Sequence, residues 1–251
     1  MRRLQKTKVL PWSYWTAVHL IAGFGVTGPS AVAQIPTAVS GNIAEGKSSR
    51  RSEAGRAIIL RVYNYAHVPP IILSEAEQDS AAVFREAGVE TRWIVCGLPS
   101  AKFAGFPACQ QPMTRSDFAL AVLDYAMRRN VRIRDEALGL APECPPHALV
   151  CNAYVFYDLV TDWSRHGEIS AHRLLAYSIA HEIGHLLLGP DSHSREGIMG
   201  AWWTPREFVS MGRGSLFFTP EQRDQIRLAV QARTEHRSPL AAQVVTDMRH
   251  H

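Results

Sequence analysis

Two residue types that bind and activate metals, histidine and glutamate, fall together in one short stretch, His181-Glu182-Ile183-Gly184-His185, with His193 eight residues beyond the second histidine. On a helix, side chains four apart share a face, so His181 and His185 can turn two imidazoles toward one ion. Glu182 follows about 100° round the helix, within reach of a water held by that ion. Two neutral imidazoles, a third ligand from outside the helix and an unliganded carboxylate are the parts of a catalytic zinc site. The expectation is one zinc ion held by His181, His185 and His193, with Glu182 as general base. Asp191 is the alternative third ligand, because a carboxylate also suits zinc. Glu207 and Glu221 are more distant alternatives, and His147, His166 and His172 are expected at the surface or behind the ligands.

A helix must carry this motif, and the surrounding sequence supplies one. Ser170 is placed to cap it, and Leu174, Leu175, Ile179, Ile183, Leu186 and Leu187 form an apolar stripe at helical spacing. Gly184 costs about 1 kcal/mol relative to alanine inside a helix, so it implies close approach by another segment. Gly189-Pro190 ends the helix: glycine accepts a positive φ and proline cannot continue the hydrogen-bond ladder.

The segment resembles the metzincin superfamily of zinc metallopeptidases, whose signature is H-E-x-x-H-x-x-G-x-x-H followed by a methionine turn. Gly189 and His193 take the glycine and third-histidine roles, and His193-Ser194 with Met199 is similar to the matrixin branch. The resemblance implies that Met199 lies in a tight turn beneath the metal. It also implies that a helix starting near Thr219 is the C-terminal helix of the catalytic domain. Gly189 comes one residue late and His193 two residues late, so the turn after the helix must differ from the family pattern. Asp191 falls at the signature's third-ligand distance.

The remaining elements read as a mixed α/β (α+β) domain: a twisted, mostly parallel sheet with an active-site helix and a C-terminal helix. Residues 57–65 are β-branched and aromatic, and form a strand. A helix is expected from Ser74, with Glu77 completing a capping box, Ala76, Val83, Phe84 and Ala87 on its inner face and Gly88 at its end. A second strand over 89–96 completes a βαβ unit, which requires parallel pairing. Residues 118–127 fit either a helix or a strand at their start. Strands are expected over 137–141 and 148–157, the latter as the edge that pairs with an extended substrate. Asp158 is expected to cap a short helix, and Thr219-Pro220-Glu221-Gln222 opens the last one. Trp202-Trp203 either wall the site or join the core.

Composition narrows the class. The chain has 251 residues, with 46% hydrophobic and 20% charged, as in ordinary globular proteins. Its net charge of +4 comes from residues 1–33, which hold four of the 27 basic residues and none of the 23 acidic ones. The rest is balanced, so a nucleic-acid partner is not expected. Arg2, Arg3, Lys6 and Lys8, an apolar run over about 12–26 and the small residues before Gln34 read as a secretory signal cleaved after Ala33. The apolar run falls short of the ~20 residues that span a bilayer, so no stable membrane anchor is expected. Residues 34–55 read as a linker or short pro-segment, 56–236 as a metallopeptidase catalytic domain and 237–251 as a flexible tail. Export makes the four cysteines a disulfide framework; three pairings are possible, and the nearest-neighbour one, Cys96 with Cys109 and Cys144 with Cys151, is expected because it closes two short proline-containing loops. The expected function is a secreted or periplasmic zinc endopeptidase acting on protein or peptide substrates. The alternatives are a zinc hydrolase of another amide, such as a cell-wall crosslink, and an inactive zinc-binding module. The oligomeric state is left open.

Overall fold

The structure is a computed structural model, and it describes residues 56–97, 107–131, 137–145, 148–166 and 169–235. The proposed signal, the segment 34–55, the tail 237–251 and His147 lie outside the described residues.

Strand β1 (Ala57–Asn64) places Ile58, Leu60 and Val62 on one face, all fully buried. The alternation follows from the two-residue period of a strand. On the opposite face Arg61 is also buried. Its guanidinium donates to Asp117 at 2.8 Å and to the carbonyls of Gln111 and Pro112 at 2.6 and 3.1 Å. The charge is thus paired and hydrogen-bonded, as burial demands.

Helix α1 (Pro70–Glu86) begins four residues before Ser74. Two prolines decide this. Pro70 at the first helical position is pre-set in φ and needs no amide donor. Asn64 also closes the preceding turn, exchanging hydrogen bonds of 2.8 and 3.0 Å with the Val68 main chain. Ser74 therefore lies inside the helix and accepts from Gln78, and no Ser74–Glu77 capping box forms. Ala76, Val83, Phe84 and Ala87 are buried as the spacing predicts, and Gly88 takes φ +73°.

Strand β2 (Glu90–Cys96) pairs parallel with β1, Ala57 opposite Glu90. The short helix α2 (Pro107–Gln110) is joined to it by the Cys96–Cys109 disulfide, Cα–Cα 5.7 Å. The ambiguous stretch divides: β3 (Asp117–Leu123) is a strand parallel to β1, and α3 (Tyr125–Arg128) is one helical turn capped by Asp124. Phe118, Leu120 and Val122 are fully buried, and only a strand puts all three on one face.

Strand β4 (Gly139–Leu140) is two residues long and runs antiparallel to β5 (Cys151–Phe156). The Cys144–Cys151 disulfide, Cα–Cα 5.4 Å, ties the segment after β4 to the first residue of β5. The sheet order is β2-β1-β3-β5-β4, parallel except for β4. The expected edge role of 148–157 is thus corrected. β4 lies outside β5, because the chain doubles back before β5 and hydrogen-bonds along it.

Helix α4 (Tyr157–His166) follows β5 directly. Asp158 sits in its first turn rather than at its cap, and its carboxylate binds Arg128 at 2.7 Å. Helix α5 (Ala171–Leu188) packs against α1 and β5, and helix α6 (Pro205–Gly212) lies beside it. The last helix, α7 (Pro220–Glu235), also packs on α5. Its start is a reciprocal cap: Gln222 N–H donates to Thr219 Oγ1 at 3.3 Å, and Thr219 N–H to Gln222 Oε1 at 3.1 Å. No helix among the described residues is long and apolar enough to cross a membrane.

Candidate metal centre

Helix α5 is built as a core element. Leu174, Leu175, Ile179 and Ile183 are fully buried, and Leu186 and Leu187 nearly so. Ser170 occupies the N-cap position, but its hydroxyl makes no cap hydrogen bond; it faces the His172 ring instead, at 3.4 Å. The helix is therefore fixed by tertiary packing more than by its cap. At the other end, Gly189 takes φ +100° and ψ 170°, a conformation open in practice to glycine alone, and the chain leaves the helix.

Two features bring the chain back beneath the helix. Residues 194–200 close on themselves, with Ser194 N–H donating to Met199 O at 2.8 Å and Gly200 N–H to Gly197 O at 3.2 Å. Met199 is fully buried, and its sulfur fills the space that a Cβ on Gly184 would need, 2.5 Å from that position. Gly184 is thus the close-approach point anticipated from its place in the helix.

The three histidines meet. His185 Nε2 lies 3.1 Å from His181 Nε2 and 3.1 Å from His193 Nε2. The protons on these rings follow from what holds each outer nitrogen. His181 Nδ1 lies 2.8 Å from the Ile198 carbonyl, which can only accept, so Nδ1 carries the proton. The same carbonyl accepts from Trp203 Nε1 at 3.0 Å, and the Trp203 ring stands edge-on to His181, centroids 5.7 Å apart. His185 Nδ1 faces Ser192 Oγ at 3.0 Å, and that hydroxyl spends its own proton on Gly189 O at 2.7 Å. His185 Nδ1 must therefore donate as well. The neutral rings of His181 and His185 then face each other through two bare lone pairs, which no hydrogen bond can join. A cation between them resolves the repulsion. Three nitrogens at zinc distance in tetrahedral array lie about 3.3 Å apart, close to the 3.1 Å that separates His185 Nε2 from each of its two neighbours.

Electrostatics favour the neutral rings. Burial pushes His181 down to about 4; His185 and His193 act in the same direction, and the Ile198 carbonyl opposes them. His185 is lowered too, by burial first and then by His193. Glu182 is only 7% exposed, and burial pushes its carboxyl up to about 8. Its carboxylate packs on β4: a Cβ built on Gly139 would lie 2.6 Å from Glu182 Oε1.

The other sequence candidates stand apart. Asp191 is exposed and outside the histidine group, the group of metal-capable side chains found among the described residues. Glu207 is engaged in the capping box of α6 with Thr204. Glu221 lies exposed in the first turn of α7. His172 pairs with Glu75 at 3.1 Å, and His166 contacts its own helix. Trp202 is 65% exposed, whereas Trp203 is half-buried against His181. Sequence reasoning missed Ser192 and Gly139. A glycine inside a strand is a signal for close backbone approach, so Gly139 had a trace in the sequence. The role of Ser192 depends on how the turn closes and left none.

No family model and no curated protein matches the chain. Among solved structures, it is similar to a zinc-dependent peptidase from Methanocorpusculum labreanum, with TM-score 0.42, 17% identity, and coverage of 66% of this chain and 99% of that one. It is also similar to archaemetzincin from Methanopyrus kandleri, with TM-score 0.40, 16% identity, and coverage of 76% and 99%.

Proposed function

We propose that the chain is an exported zinc-dependent endopeptidase of metzincin-like type, with His181, His185 and His193 as ligands of one zinc ion and Glu182 as general base. The observation that carries this reading is the 3.1 Å approach of two ring nitrogens whose protons are both placed elsewhere. Three neutral imidazoles are a donor set that zinc accepts, and three protein ligands leave it a position for chemistry. When bound, zinc acidifies water and polarises a carbonyl oxygen. Glu182 takes a proton from the attacking water and returns it to the departing amine. Its burial raises its affinity for the proton it must take, and a bound cation beside it would favour the carboxylate form that acts as base. Met199 supports the helix from below through Gly184. The substrate chain lies extended along the outer side of β4, the last strand of the sheet, adding a strand to it. Support for this comes from Gly139, which brings β4 onto the Glu182 carboxylate. Two disulfides fit an oxidising compartment, in agreement with the signal-like N-terminus.

The test is zinc content together with casein hydrolysis. We expect one zinc per chain, cleavage lost on chelation and cleavage restored by zinc. Stoichiometric zinc without cleavage of any peptide would favour a binding module. Cleavage of cell-wall crosslinks with casein left intact would move the activity to another amide.

A further inference from the structure

We propose that Ser192 is the positioning residue that locks His185 in its metal-binding tautomer, and that Gln222 at the start of α7 holds Ser192 in place. The inference rests on the zinc reading above and adds a residue to it.

The turn after α5 carries two more residues than the spacing H-E-x-x-H-x-x-G-x-x-H allows, and a longer turn ordinarily means a looser third ligand. Here the extra length is closed from both sides. The Gly189 carbonyl, a main-chain acceptor facing His185, lies 3.4 Å from Nδ1, too far for a strong N–H···O bond. The Ser192 hydroxyl fits between them, 3.0 Å from Nδ1 and 2.7 Å from the carbonyl. A carbonyl cannot donate, so the hydroxyl proton goes to Gly189 and an oxygen lone pair is left for the His185 N–H. That fixes the ring orientation and keeps the Nε2 lone pair turned inward, beside His181 and His193.

The Ser192 main chain is held in turn. Its carbonyl accepts from Gln222 Nε2 at 3.3 Å. Gln222 is 8% exposed, and its side-chain oxygen accepts from Thr219 N–H in the α7 cap. Its amide thus has one fixed direction, toward the turn. Asp191, the preceding residue, is exposed. The sequence therefore runs from ligand His185 through a bridging serine to ligand His193, with the C-terminal helix bracing the bridge.

The experiment uses the full chain and zinc itself. Its dissociation constant is measured by competition with a chromophoric chelator, alongside the visible spectrum of the cobalt-substituted protein and the unfolding midpoint of the metal-free protein. Ser192→Ala should weaken zinc binding about 10- to 100-fold, as loss of a partner behind a ligand does, and should alter the cobalt spectrum. Ser192→Thr keeps the hydroxyl and should stay within about threefold of wild type, as should Asp191→Ala. The metal-free midpoint should change little, which a merely structural role would not give. Should Ser192→Ala fail to fold, Gln222→Ala frees the Ser192 carbonyl and should weaken zinc about three- to tenfold; unchanged affinity there overturns the proposal. Equal zinc affinity in wild type and Ser192→Ala, or equal losses in the alanine and threonine variants, overturns the Ser192 role and leaves the zinc site standing. A wild-type chain that holds no stoichiometric zinc overturns both.

Discussion

His181 is oriented before any ligand arrives: the Ile198 carbonyl takes its Nδ1 proton at 2.8 Å and Trp203 stands against its ring. Glu182, next along the helix, faces Gly139 and is buried. The two residues therefore make opposite demands on the metal-free protein. His181 titrates near 6.5 when unfolded and near 4 when folded, so stability falls as pH drops from about 6.5 toward 4. Glu182 titrates near 4.5 when unfolded and near 8 when folded, so its contribution is full below 4.5 and is lost as pH rises toward 8. Above about pH 7.5 the carboxyl dominates, because His181 and the lowered His185 are then largely neutral in both states. Metal-free wild type should accordingly lose denaturant resistance from about pH 7.5 to 8.5, and Glu182→Gln should not. Urea midpoints across that range check it; parallel curves would contradict the burial argument. A second outcome belongs to the third ligand. His193→Ala should cost more zinc affinity than Asp191→Ala, since His193 Nε2 lies 3.1 Å from His185 Nε2 and Asp191 is exposed. Chelator competition on the two variants reads the order, and the reverse order would assign the ligand to Asp191.

Among the elements, β4 has the least length and the most direct access to the chemistry. Its Gly139 backbone rests on the Glu182 carboxylate, so a methyl group there must displace one of them. Gly139→Ala should lower kcat about 100-fold, the cost of misplacing a reacting group by about an ångström, with zinc content unchanged. Pairing it with Glu182→Asp, which withdraws the carboxylate by one methylene, should give less than the product of the two single losses. Multiplicative losses would show that the two residues do not meet. How far these elements could be read from sequence depended on the range of the forces that set them. β1 and the stripe of α5 were legible because strand-forming residues and helical period mark them residue by residue, whereas β3 stayed ambiguous because its apolar run is too short for periodicity to decide. Gly184 was legible because an interior helical glycine is costly without a close neighbour, and Met199 is that neighbour. The start of α1 was misread because Ser74 and Glu77 have the local chemistry of a cap, while Pro69, Pro70 and the Asn64 turn act from further away. The edge of the sheet was misread because pairing partners are a non-local property. The bridge at Ser192 was invisible because it needs the carbonyl of Gly189 and the cap of α7 in one place.

For the whole molecule, two short disulfide loops stand where the sheet meets irregular chain: Cys96–Cys109 at the end of β2 and Cys144–Cys151 at the start of β5. Loops of this length contribute about 2–3 kcal/mol each by restricting the unfolded chain. Reductant should lower the unfolding free energy of the zinc-loaded protein, read from urea titrations, by an amount of that order, and replacing Cys144 and Cys151 together with alanine should account for part of it. A midpoint insensitive to reductant would show that the bridges do not form in solution. The second bridge also anchors the segment leading from β4, so its loss should reach activity before it reaches zinc content. These features describe an α/β scaffold whose parallel strands and long helices fix one helix, α5, on which the proposed chemistry depends. That dependence has a single direct measure: casein cleavage by zinc-loaded wild type beside Glu182→Ala carrying the same zinc. The account predicts that wild type cleaves and that Glu182→Ala, with zinc content intact, is slower by about 10²–10⁴-fold. Undiminished cleavage by Glu182→Ala would contradict it.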